Sequence, residues 1–128
     1  MPYNLKWGND EQTLLYLTLE GALSWEQLYE SMQGMKDWAD SVSHPIVTIT
    51  DVTRADKLPL SNVLKLKPAF AIKSENTRLA IIVGMPSFQQ TMVNLFMSLY
   101  KQLAGEVPVA FVETIEKAEA LAARELVK

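Results

Sequence analysis

The residues of this chain best suited to chemistry crowd into one stretch, HPIVTITDVTRAD, which holds His44, Asp51, Thr53, Arg54 and Asp56. His44 is the only histidine, so any serine or threonine nucleophile activated by imidazole must use it. The run Ile46–Thr50 is β-rich, too short for a helix, and bounded by Pro45 and Asp51. It reads as a buried strand that delivers Asp51 and Thr53 onto a polar loop. Seven residues of strand at about 3.3 Å each put His44 roughly 23 Å from Asp51, which separates the base from the hydroxyl. A triad is therefore not expected.

In open α/β sheets the functional crevice lies outside the carboxyl ends of the strands. Three polar junctions fall there: Asp51 with Thr53, then Ser87, then Glu113 with Thr114. Ser87 and Thr114 have a structural explanation as helix N-caps, and the helix start at Ser87 is also a candidate anion site. Asp51, Asp56, Glu75 and Glu113 match no EF-hand or histidine–carboxylate spacing, so no metal is expected. Arg54 and Lys57 lie among these carboxylates, and solvated loop charges explain them better than an acid/base pair does. Neither a Walker loop nor GxGxxG occurs, so no phosphate cofactor is expected, and no other cofactor is implied. With no cysteine, disulfides, thiolate catalysis and sulfur-bound zinc are excluded.

The elements that must position these residues follow from periodicity. Tyr3, Leu5 and Trp7 alternate with polar neighbours, Gly8–Asp10 signal a turn, and Leu15, Leu17 and Leu19 resume the alternation, a β-hairpin closed by Thr18–Gly21. Ser24 with Gln27 forms a capping box, and Leu23 can staple onto Leu28. Trp25, Leu28, Met32, Met35, Ala39 and Val42 then mark one helix face, with Gly34 suggesting close approach of another backbone. Ser61–Lys73 has helical composition broken by Pro68 and predicts a kinked helix or two short ones. Leu79–Val83 is a continuous apolar strand that suits a position covered on both faces. Ser87 opens a helix with Phe88, Met92, Leu95, Phe96, Leu99 and Leu103 facing inward, ended by Gly105. A strand Val109–Val112 and a helix capped by Thr114 complete the order ββαβαβαβα. The fold class is α/β: one domain over residues 1–128, with a mixed, mostly parallel sheet of about five strands, an antiparallel hairpin at its start, and helices packed on it.

The net charge of −3 supplies no basic field for nucleic acid. The opening MPYNLKWGND has no signal-peptide pattern, and runs such as LAIIVGM are too short to span a bilayer, so a cytoplasmic protein without stable membrane insertion is expected. Met32, Met35, Trp38, Leu64, Leu66 and Phe70 exceed what a two-layer core must use, which points to a partner surface or an apolar pocket. Tyr29, Trp38 and Tyr100 fall off the apolar stripes and suggest a homodimer.

The chain resembles the STAS domains of bacterial anti-sigma-factor antagonists, and more closely their SpoIIAA-like branch. The resemblance is carried by LTLEGALSWEQL, VTITDVT, TRLAIIVG and VAFVETIEKAEAL, and spans most of the sequence. It implies a STAS-like or Sec14-like α/β fold. It also implies a non-enzymatic, cytoplasmic regulatory domain that binds a protein partner, a kinase-like regulator among the candidates, through the Asp51–Pro59 loop. Thr53 would be the phospho-acceptor, with Asp51, Arg54 and Asp56 around it. A phosphate beside a carboxylate would repel an acidic partner surface. Arg54 departs from the family, where a glycine is usual, and an ordinary turn hydrogen bond explains Thr53 equally. The alternative implied function is a small-molecule or lipid carrier with a Sec14-like pocket.

Overall fold

The computed structural model describes residues 2–56, 63–99 and 108–128; the side chains of residues 63, 64, 66 and 70 are outside that description. Strands β1 (Tyr3–Trp7) and β2 (Leu14–Gly21) pair antiparallel, from Tyr3 opposite Leu19 to Trp7 opposite Leu15. The connecting turn is held by Asn9, whose Oδ1 accepts from the Thr13 N–H at 3.0 Å while its Nδ2 donates to the Thr13 hydroxyl. Helix α1 (Trp25–Asp40) follows, then β3 (Ile46–Ala55), α2 (Val63–Phe70), β4 (Thr77–Val83), α3 (Ser87–Leu99), β5 (Val109–Val112) and α4 (Ile115–Leu126). The sheet runs β1-β2-β3-β4-β5, and every pair after the hairpin is parallel. This is the expected mixed α/β sheet.

Local chemistry sets the helix boundaries. The Ser24 hydroxyl accepts from the Gln27 N–H while the Gln27 side chain accepts from the Ser24 N–H, so a complete capping box starts α1. Leu23 and Leu28 share one core cluster, as a hydrophobic staple requires. Thr114 caps α4 through the Lys117 N–H. The far end of α1 is tied down from outside: Asn76 Nδ2 donates to the carbonyls of Ala39, in its last turn, and Val42, just beyond it. Pro68 lies within α2, where it has no N–H to give the Leu64 carbonyl, and the helix ends two residues later at Phe70 as one short helix. Residues 61 and 62 of that predicted segment lie outside the described residues, as do Leu103 and Gly105.

The sheet has two unlike faces. On one, Val47, Ile49, Leu79, Ile81 and Val83 meet Ala118 and Ala122 of α4, large side chains against small ones. That complementarity leaves little room between the layers. On the other face, α1 and α3 pack over Leu17, Leu19 and Val52, joined by Met85 and Phe96. Leu15, Ala39 and Ile46 close the remaining side beneath Trp7 and Trp38, whose rings lie 5.9 Å apart.

Four expectations change. Strand β3 does not stop at Thr50; it continues to Ala55, so Asp51, Thr53 and Arg54 are strand residues rather than loop residues. The cause is β2, which runs on through a bulge between Thr18 and Glu20 and pairs Glu20 with Arg54 and Gly21 with Ala55. Ser87 is not a cap. The first helical bond runs from the Gln90 N–H to the Pro86 carbonyl, so Pro86 holds the capping position and Ser87 is the first helical residue. Phe88, Leu95 and Leu99 do not face inward but stand 70%, 55% and 64% exposed. At about 100° per residue they lie roughly a quarter turn from buried Gln89 and Phe96, because the apolar arc of α3 is wider than its contact with the sheet. Finally, Gly34 approaches a side chain, not a backbone: a Cβ there would come 2.9 Å from Leu5 Cδ1.

Replacing Ser24 by Ala removes half of the capping box and is expected to lower stability by about 1 kcal/mol. Urea unfolding checks this: the midpoint should fall with the slope unchanged.

Candidate functional site

The carboxyl ends of the strands gather the residues singled out from sequence. Asp51 pairs in register with Thr18 on one side and Val83 on the other. Its Oδ1 accepts both the Thr53 N–H at 2.9 Å and the Thr53 hydroxyl at 2.7 Å. The Thr53 hydroxyl is thus exposed but already engaged. Gly84 makes room for it: with φ at +82°, its Cα faces Thr53, and a Cβ would come 2.3 Å from Thr53 Cγ2. Arg54 reaches Glu20 at 3.5 Å across the strand pair, an exposed contact worth little by itself. Asp56 is exposed just beyond the strand, its N–H donating to Gly21 O.

The remaining candidates stay apart. Glu113 pairs with Lys117 at 3.4 Å, and Thr114 is occupied as a cap. His44 lies ahead of β3, its Nδ1 3.1 Å from Pro45 O, while Asp51 lies well along the strand. Among the described residues, no group of three acidic, histidine or cysteine side chains could hold a metal. Tyr16 donates to Glu119 of α4, and burial followed by that carboxylate raises its pKa well beyond the ordinary phenol value. Such a tyrosine keeps its proton and anchors α4.

A second feature is on the other face of β3. Side chains alternate along a strand, so Thr48, Thr50 and Val52 point away from the side that carries Asp51 and Thr53. They line a cavity of about 270 Å³ between the sheet and α1–α3. Its origin lies in side-chain size. Here Thr48, Thr50 and Ala80 on the sheet meet Ser31 of α1 and Ala69 of α2, small against small, so the layers leave a void. The walls are otherwise mostly apolar, with Lys36, Lys73, Ser74 and Thr77 at one end and Met32, Met35, Met85 and Met97 supplying adaptable surface. Met32 and Met35 were expected at such a pocket; Trp38 is not there, because it packs on Trp7 instead. The expectation for Leu64, Leu66 and Phe70 concerns side chains outside those described.

Ile82 and Ala80 line this space, which is why β4 is not fully covered on both faces as its apolar run suggested: Leu79, Ile81 and Val83 are buried and the residues between them are half-buried. The space extends toward the amino ends of the strands, to Thr77 and Ser74. A polar stitch closes that end. Asp40, last residue of α1, accepts from the Ser74 hydroxyl at 2.5 Å and from Lys36 Nζ at 2.6 Å. Sequence reading missed Thr48, Ala80 and Ala69. The signal was present as small residues recurring on one face of two adjacent strands.

Tyr29 and Trp38, expected at a dimer surface, are half-buried with partners in their own chain: Tyr29 donates to Lys65 O and stacks near Trp25, and Trp38 meets Trp7. Tyr100 lies outside the described residues. No helix among those described is long and apolar enough to cross a membrane.

No family model matches the chain, and no curated protein matches it. Its structure is similar to that of an uncharacterised protein from the DUF3478 family with a SpoIIAA-like fold, from Shewanella loihica PV-4. The TM-score is 0.61 at 17% identity, over 94% of this chain and 93% of that one. Likeness at that identity carries the fold, so the chain has a SpoIIAA-like α/β fold.

The hydrogen bonds from Lys36 and then Ser74 hold the Asp40 carboxyl below its ordinary pKa of 3.8. A carboxyl lowered in the folded state adds stability above its unfolded pKa and loses it as pH falls through the folded value. Asp40→Asn should therefore lower the urea midpoint at pH 7 and leave it close to wild type at pH 2. An equal loss at both pH values would mean that charge is not what Asp40 contributes.

Proposed function

We propose that this domain binds a small, largely apolar molecule in the cavity between the sheet and α1–α3, as a binding or carrier protein without chemistry of its own. The observation that carries this reading is the cavity of about 270 Å³ with its apolar walls. An apolar cavity of about 150 Å³ accepts benzene, so this one has room for about ten heavy atoms. Ligand pockets are concave, mostly apolar and largely pre-formed, and this space has those properties.

Naphthalene matches that size and tests the reading. Four methionines line the cavity while Met92 does not, so the methionine methyl resonances are local reporters. Naphthalene should shift the methyl signals of Met32, Met35, Met85 and Met97 and leave Met92 largely unmoved. Ala80→Leu fills part of the space and should weaken this binding at least tenfold without lowering the melting temperature. Uniform or absent shifts in the wild type would overturn the proposal.

A protein-interaction role is the second reading. It is favoured by the exposed apolar edge of α3, where Phe88, Leu95 and Leu99 line one side of the helix. A switch at Thr53 is compatible with the geometry, because a phosphoryl group on its hydroxyl would lie against the Asp51 carboxylate that now accepts that proton. Thr53→Glu should then recover fewer partners than wild type in a pull-down. Equal recovery of the same proteins would remove the switch.

A further inference from the structure

Behind the largely apolar lining of the cavity, one buried polar atom has no hydrogen-bond partner. Thr48, at the centre of β3, is 2% exposed, and among the described residues its Oγ1 is the buried side-chain atom without a hydrogen-bond partner. Its neighbours are better served: Ser31 donates to the Leu28 carbonyl, and Ser74 bonds Asp40. Buried polar groups are almost always paired, and an orphaned hydroxyl calls for an explanation. Valine has the same shape and would remove the cost, and β3 already carries Val47 and Val52. In a strand two χ1 rotamers are common, so a turn about the Cα–Cβ bond presents either the methyl or the hydroxyl to the space.

We propose that Thr48 is the polar anchor of the cavity and that the ligand it selects is a neutral molecule of about ten heavy atoms bearing a hydroxyl or carbonyl group, rather than a carboxylate. This rests on the cavity being a binding site and adds which chemistry it takes. Neutrality follows from the charges present. The polar side chains within the lining are threonines and serines. Its two charged residues, Lys36 and Lys73, stand at the end near Ser74. Lys36 is held by Asp40, with Asp37 and Glu75 also acting on it, and Lys73 is exposed, its charge solvated. A carboxylate in the interior would be an unpaired buried charge, whereas one hydroxyl or carbonyl can be satisfied by Thr48.

Three probes matched in heavy-atom count separate the possibilities: naphthalene without a polar group, nonan-1-ol with a hydroxyl, and octanoate with a charge. Affinities are read from the methionine methyl signals at pH 7 in wild type, Thr48→Val and Thr48→Ser. Nonan-1-ol should bind wild type and Thr48→Ser alike and Thr48→Val about three- to tenfold more weakly, the loss of one neutral hydrogen bond. Naphthalene should bind Thr48→Val at least as well as wild type, which also shows that the variant is folded. Octanoate should bind all three more weakly than nonan-1-ol does. Without ligand, Thr48→Val should melt a few degrees higher than wild type. Equal binding of nonan-1-ol to wild type and Thr48→Val, or a lower melting temperature of that variant, overturns the anchor while leaving the cavity as a binding site. Octanoate binding tighter than nonan-1-ol overturns the neutral ligand. Failure of naphthalene as well overturns the binding site itself.

Discussion

Every residue of β3 and β4 must face one helical layer or the other, because side chains alternate along a strand. Along Val47–Thr50 and Leu79–Ile81 the alternation is also one of size. Val47, Ile49, Leu79, Ile81 and Val83 go to the α4 side, where alanines receive them. Thr48, Thr50 and Ala80 go to the other side, where Ser31 and Ala69 fail to reach across. A tightly joined layer and a loose one therefore share the same two strands. The tight layer, with the parallel pairing of β2, β3 and β4, lets the loose one exist without loss of the fold.

Much of this was legible in the amino-acid order. Ser24, Gln27 and Thr114 announce helix starts by local hydrogen-bond chemistry, and local chemistry decides them in the structure. Period-two and period-four patterns place all the strands and most helix faces. What escaped depends on contacts distant in sequence. The length of β3 depends on how far β2 continues beside it past a bulge, and nothing in TDVTRA reports on Glu20 or Gly21. The phase of α3 depends on how wide an arc the sheet can cover, while its sequence is apolar over a wider one. The cavity needed two strands to be compared residue by residue for size.

The expected site and the cavity share β3 but divide it by face. The fold rule that directs attention to the carboxyl ends of strands finds Asp51, Thr53 and Gly84, a compact cluster of local hydrogen bonds toward the end of the central strand. The cavity runs instead along the sheet, from Val52 and Met85 at that end to Thr77 and Ser74 at the other. Asp40, Ser74 and Asn76 bind the far end of α1 to the start of β4 and so fix one limit of the cavity. That limit is polar. The opposite one is built from leucine, valine and methionine.

Helix α3 carries a consequence of its own. Its inner side supplies Val93 and Met97 to the cavity wall, and its outer side exposes Phe88, Leu95 and Leu99. Most helices resist turning about their axis, since rotation drags a polar side into the core. A helix apolar around so much of its circumference lacks that restraint: a partial roll would exchange one set of greasy side chains for another at small free-energy cost. The rotation of α3 is thus weakly specified by hydrophobicity and rests on point contacts, such as the Gln90 side chain on the Met85 carbonyl.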